Sequence, residues 1–76
     1  MNGQLASILL NDLKLDADRL SPDATLDDAG LDSLAVVELS VLLGDRLGIT
    51  IRETEIEDAS TLKDLDLLIE QKRKEG

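Results

Sequence analysis

The sequence predicts an all-α fold, a small four-helix bundle with a long loop between the first and second helices and a short third helix. Three observations carry that expectation. Apolar residues recur at helical spacing in separate stretches of the chain. Between the first two stretches, Pro22 and Gly30 punctuate a segment with no such period. The apolar set is Leu, Ile, Val and Ala with one Met and no aromatic residue, which supplies one aliphatic core.

Each element follows in order. Leu5, Ile8, Leu9 and Leu13 share a face at helical spacing, and Asn2 is a suitable N-cap, so the first helix is expected from about Gly3 to Leu15. Residues 16–32 hold six aspartates against a single Arg19, and their leucines, Leu20, Leu26 and Leu31, are spaced too irregularly for one amphipathic helix. A long ordered loop pinned by those leucines is the expectation, and loops of such length are often functional. Asp32 can cap the next helix, with Ser33 at its first position and Gly48 just past its end at Leu47. A short third helix is expected around Glu53 to Asp58. Ser60 or Thr61 then caps a last helix with Leu62, Leu65, Leu68 and Ile69 inward, ending in Lys72, Arg73 and Lys74, whose charge suits a helix C-terminus.

The second helix has more apolar residues than one buried face needs. Val36, Leu39, Leu43 and Leu47 make one stripe; Leu34, Val37 and Val41 make another, rotated from it. Such a helix either buries one stripe and offers the other to a partner or cargo, or has both covered by neighbouring helices.

Composition excludes several functions. The 76 residues suit one domain, 1–76, and the formal net charge is −9. That charge disfavours nucleic acid and anionic membranes and favours partners with basic patches. Without Cys there is no disulfide or thiolate metal site; without His there is no Ser-His-Asp triad. An EF-hand loop starting at Asp16 would place Leu20 at its fifth position and Ser21 where Gly is required, so no metal site is expected. No apolar run approaches the roughly 20 residues that span a bilayer. The expectation is a monomeric cytoplasmic protein that is not an enzyme.

The informative stretch is Gly30-Leu31-Asp32-Ser33-Leu34, followed by Val37-Glu38-Leu39 and Leu47-Gly48-Ile49, with Thr61 to Leu65 opening the last helix. In length, acidity and the placing of these motifs the chain resembles the acyl carrier protein family. The resemblance implies that Ser33 receives 4′-phosphopantetheine covalently from a phosphopantetheinyl transferase. It implies that Asp32 assists that enzyme. Ketosynthases, acyltransferases and other synthase enzymes would then meet Leu34, Val37, Glu38, Val41 and Asp45 through basic docking patches. The implied role is carriage of acyl thioesters in fatty acid or polyketide biosynthesis. The outward face departs from the strongly acidic fatty-acid pattern at Ala35, Gly44 and Arg46, which leaves the pathway open. A carrier of amino acids or other ligase-activated acids is a second reading, although the paired glycines usual in peptidyl carriers are missing at Ala29-Gly30. An unmodified acidic helical protein with weak divalent-cation binding is a reading from a different class.

Overall fold

The computed structural model describes residues 3–75, so the expected Asn2 cap lies outside the described residues. Helix α1 spans Gly3–Ser7 and continues as a π turn over Ile8–Asp12. A 3₁₀ turn, Ala17–Arg19, and a one-turn helix α2, Leu26–Ala29, follow. Helix α3 spans Ser33–Leu47, α4 spans Glu53–Asp58 and α5 spans Leu62–Glu75. Among the described residues there is no strand, only an isolated bridge between Thr25 and Thr61.

The four expected helices are present, with two corrections. The first helix does not run as α-helix to Leu15. The Leu13 amide reaches back five residues to the Ile8 carbonyl, at 3.0 Å, and the Leu15 amide bonds the Leu9 carbonyl at 2.9 Å. Lys14, at φ 56°, turns the chain out in the left-handed region. The π turn keeps Leu5, Ile8 and Leu9 buried but leaves Leu10 outside. The long connection is also not bare loop. Asp16 accepts the Asp18 amide to start the 3₁₀ turn, and Thr25 accepts the Asp28 amide to start α2. Gly30, at φ 96°, closes α2 in a conformation that favours glycine.

The core is one aliphatic cluster drawn from every helix: Leu5 and Leu9, Leu26, Val36, Leu39 and Leu43, Ile56, then Leu62, Leu65 and Ile69. Leu31 is buried with them, and Leu20 packs partly against them, so the leucines of residues 16–32 do pin that segment. The segment between α3 and α4 is tied down by Ile49 and Ile51, both buried, and by the Ser40 hydroxyl, which donates to the Ile51 carbonyl at 2.7 Å. That bond satisfies a part-buried polar group, as burial requires. Helix α4 is held to α5 by Lys72 and Glu55, 2.8 Å apart. The same Glu55 carboxylate accepts the Arg52 amide at 3.1 Å. Its hydrogen bond with Lys72 and then that with the Arg52 amide hold the carboxyl below the usual carboxylate range.

Candidate functional site: the start and outer face of helix α3

The site begins with a cap. The Asp32 carboxylate accepts the Ala35 amide at 2.8 Å, while the Asp32 carbonyl accepts the Val36 amide at 2.9 Å. Together they leave the amides of Ser33 and Leu34, the first two of the helix, without a hydrogen-bond partner among the described residues. A helix N-terminus carries about half a positive charge on such groups, so an anion placed there is stabilised.

Ser33 is exposed at this open end, and its hydroxyl is engaged by no described residue. Three of the other serines differ. The Ser40 hydroxyl is bound to the Ile51 carbonyl, Ser7 accepts from the Asn11 side chain, and Ser21 accepts the Asp23 amide. Ser60 is exposed but precedes a helix whose first amides are already paired: those of Leu62 and Lys63 donate to the carbonyls of Ala24 and Pro22, both at 3.0 Å. Of the five serines, Ser33 alone combines a free hydroxyl with an open helix start.

Beyond Ser33, the two apolar stripes of α3 separate cleanly. Val36, Leu39 and Leu43 are buried, with Leu47 partly so, whereas Leu34 is 68 %, Val37 41 % and Val41 65 % exposed. Neighbouring helices therefore do not cover the second stripe. Glu38 and Asp45 are exposed on the same side of the helix. The structure brings Val37, Glu38 and Val41 together around one cleft but does not bring in Asp45, which lies one turn further on.

Two lining residues of that cleft were not singled out as site residues by the sequence: Leu42, and Asp12 from the π turn. Asp12 also explains Arg46. The guanidinium that interrupts the acidic end of α3 donates to the Asp12 carboxylate at 2.8 Å and joins α3 to the end of the first helix. Gly44 has a plain reading too. A Cβ there would meet the Ile49 carbonyl at 3.5 Å, an ordinary contact, so no close approach within the fold demands glycine.

What can this arrangement do chemically? The exposed Ser33 oxygen could be esterified without disturbing the core, and a phosphodiester on it would lie beside two unpaired amides. The site thus fits a phosphate-linked prosthetic group. Among the described residues no cluster of acidic side chains is arranged to hold a metal ion. No described helix is long and apolar enough to cross a membrane.

Residues 3–65 match the family described as the phosphopantetheine attachment site. The chain is 41 % identical over 70 residues to the acyl carrier protein MbtL of Mycolicibacterium paratuberculosis, covering 91 % of this chain and 79 % of that protein. It is 42 % identical over 69 residues to the MbtL of Mycobacterium bovis, covering 90 % and 82 %. An acyl carrier protein of Syntrophobacter fumaroxidans is 35 % identical over 66 residues, covering 86 % and 82 %. The chain belongs to the acyl carrier protein family, a family of carriers that hold 4′-phosphopantetheine covalently.

Proposed function

We propose that Ser33 is the attachment point and that residues 1–76 act as one monomeric, cytoplasmic carrier domain that presents acyl groups to the enzymes of fatty acid or polyketide biosynthesis. The observation that carries the reading is the free Ser33 hydroxyl at the open start of α3. In the loading step a phosphopantetheinyl transferase joins the Ser33 oxygen to the phosphorus that bears the pantetheine arm of coenzyme A. The bond to the departing adenosine bisphosphate breaks as the serine proton passes to a base on the transferase. Asp32 keeps the serine in place by capping the helix and offers the transferase a carboxylate beside it. The amides of Ser33 and Leu34 are positioned to hold the resulting phosphodiester. When bound, the arm supplies the thiol on which an acyl group is carried as a thioester.

The chain's own residues do no bond chemistry after loading. Their work is presentation: tethering raises the effective concentration of the acyl group at each partner. Leu34, Val37 and Val41 give partners an apolar contact, and Glu38 and Asp45 favour partners with basic docking patches, such as a ketosynthase or an acyltransferase.

The test is intact mass after incubation with coenzyme A, Mg²⁺ and a broad-specificity phosphopantetheinyl transferase. The expected result is a gain of one phosphopantetheine on the parent chain and none on Ser33→Ala. A folded parent chain that gains nothing would refute the proposal.

A further inference from the structure

The start of α3 is open, but the chain that leads to it is fully bonded. Only Gly30, Leu31 and Asp32 join α2 to α3. The Gly30 amide donates to the Asp27 carbonyl at 3.0 Å, and the Leu31 amide donates to the Leu26 carbonyl at 2.9 Å. With Gly30 at φ 96°, these two bonds make the Schellman ending of a helix, completed by the burial of Leu26 and Leu31. The Asp32 amide then donates to the Gly30 carbonyl at 3.2 Å. Every connecting amide is committed, and the path runs back to α2. Leu15 lies behind this path, 3.4 Å from where a Cβ on Gly30 would stand.

Helix α2 is a single turn of four residues, too short to persist alone. Its start is held by the Thr25 hydroxyl, which accepts the Asp28 amide at 3.1 Å. The chain just before it is held separately. The carbonyls of Pro22 and Ala24 accept the amides of Lys63 and Leu62, and the backbones of Thr25 and Thr61 form a bridge. Two caps thus stand on one bridge. Thr25 caps the helix that leads to Ser33, while Thr61 caps α5 by accepting the Asp64 amide at 3.3 Å. Loss of the Thr25 hydroxyl leaves the bridge and α5 in place and loosens only residues 26–32.

We propose that α2 is a clamp that holds Ser33 in place for phosphopantetheine transfer, with Thr25 as its positioning residue. Thr25 acts through α2, Gly30 and Leu31, not on Ser33 itself. A held serine meets the attacked phosphorus in one orientation, and small displacements of a reacting group are costly in rate. The exposed stripe of α3 lies beyond the clamp, so loosening α2 spares the binding step. The proposal rests on Ser33 being the attachment point.

Steady-state kinetics of phosphopantetheine transfer, with KM and kcat resolved separately, test it on the parent chain, Thr25→Ala, Thr25→Ser and the matched control Thr61→Ala. Thermal melts confirm that each is folded at the assay temperature, and amide hydrogen exchange reads the clamp directly. Thr25→Ala should lower kcat about threefold to fivefold at unchanged KM, because a lost cap opens a marginal single turn. The amides of Gly30 and Leu31 should lose protection while those of Leu62 and Lys63 keep it. Thr25→Ser, which retains the hydroxyl, should restore both readouts. Thr61→Ala should lower the melting temperature comparably and leave kcat unchanged. A parent-like kcat in Thr25→Ala, a fall that Thr25→Ser does not rescue, or an equal fall in Thr61→Ala would overturn the clamp while leaving Ser33 as the attachment point. Unchanged protection of Gly30 and Leu31 in Thr25→Ala would overturn it as well. No modification of the parent chain would overturn the Ser33 reading and the clamp with it.

Discussion

The two long helices of this molecule begin in similar ways and finish the job differently. Each is capped by the side chain just before it: Asp32 accepts the Ala35 amide at α3, and Thr61 accepts the Asp64 amide at α5. At α5 the next two donors are also taken, because the amides of Leu62 and Lys63 bond the carbonyls of Ala24 and Pro22. At α3 the corresponding amides of Ser33 and Leu34 stay open. Their outer faces differ as well. The exposed side of α5 carries Lys63, Asp64, Gln71 and Lys74 around a single Leu67, whereas that of α3 carries Leu34, Val37 and Val41. One helix is closed off as structure. The other satisfies the fold with half of its surface and leaves an open start and an uncovered apolar stripe, the two features on which the proposed function rests.

If that division is right, the buried halves of the two helices should be equivalent. Leu39 in α3 and Leu65 in α5 are both fully buried. Truncation of either to Ala should cost about 2–5 kcal/mol in denaturant or thermal unfolding. A cost well under that range at Leu39 alone would mean that α3 is not shared between core and surface as described.

The caps sharpen the comparison at a smaller scale. Asp32→Ala and Thr61→Ala should each lose about 1 kcal/mol, since each removes one side-chain acceptor from a helix start. Their effects should part on function: Asp32→Ala slows phosphopantetheine transfer in the mass assay, and Thr61→Ala leaves the rate intact. Equal slowing by both would trace the effect to stability alone.

Gly44 lies on the exposed side of α3 with room for a methyl group. Gly44→Ala should raise stability by about 0.5–1 kcal/mol by removing backbone entropy from the unfolded chain, as read from a denaturant midpoint. A loss instead would show that the α3 backbone needs a close approach at that residue.

The smallest effect concerns the ion pair that joins α5 to α4. Glu55 has its pKa lowered in the folded state, chiefly by its hydrogen bond with Lys72. Its contribution is therefore fully present above the ordinary carboxylate value of about 4.3 and is lost as pH falls through the lower folded value. The melting temperature of Glu55→Gln should lie below the parent's at neutral pH, and the gap should close on acidification below about pH 4. A gap that widens in acid would reverse the sign of the effect.

Much of α3 was legible because several signals coincide there. Asp32, the dense aliphatic run and Gly48 mark its two ends, and the ends observed are Ser33 and Leu47. Its two stripes could be separated by helical spacing, but spacing alone could not tell which, if either, was left uncovered. That depended on where the other helices pack. The start of α5 was legible through Thr61, yet the carbonyls of Ala24 and Pro22 that complete it were not, since backbone acceptors have no residue code. Helix α2 and the 3₁₀ turn are four and three residues long, too short to show a period. The π turn was missed because Leu10, Leu13 and Leu15 prolong an apolar pattern past the point where Lys14 turns the chain. The pairing of Asp12 with Arg46 spans 34 residues and depends on that turn, so the sequence shows the departure at Arg46 but not its partner.

The central claim is that the open start of α3 makes Ser33, and no other serine, the point of attachment. Fragmentation mass spectrometry of the phosphopantetheine-loaded protein tests it most directly, because Ser7, Ser21, Ser40 and Ser60 are present as internal competitors. The account predicts that the added mass falls on Ser33 alone. Added mass on Ser60, which is exposed but precedes a closed helix start, would contradict it.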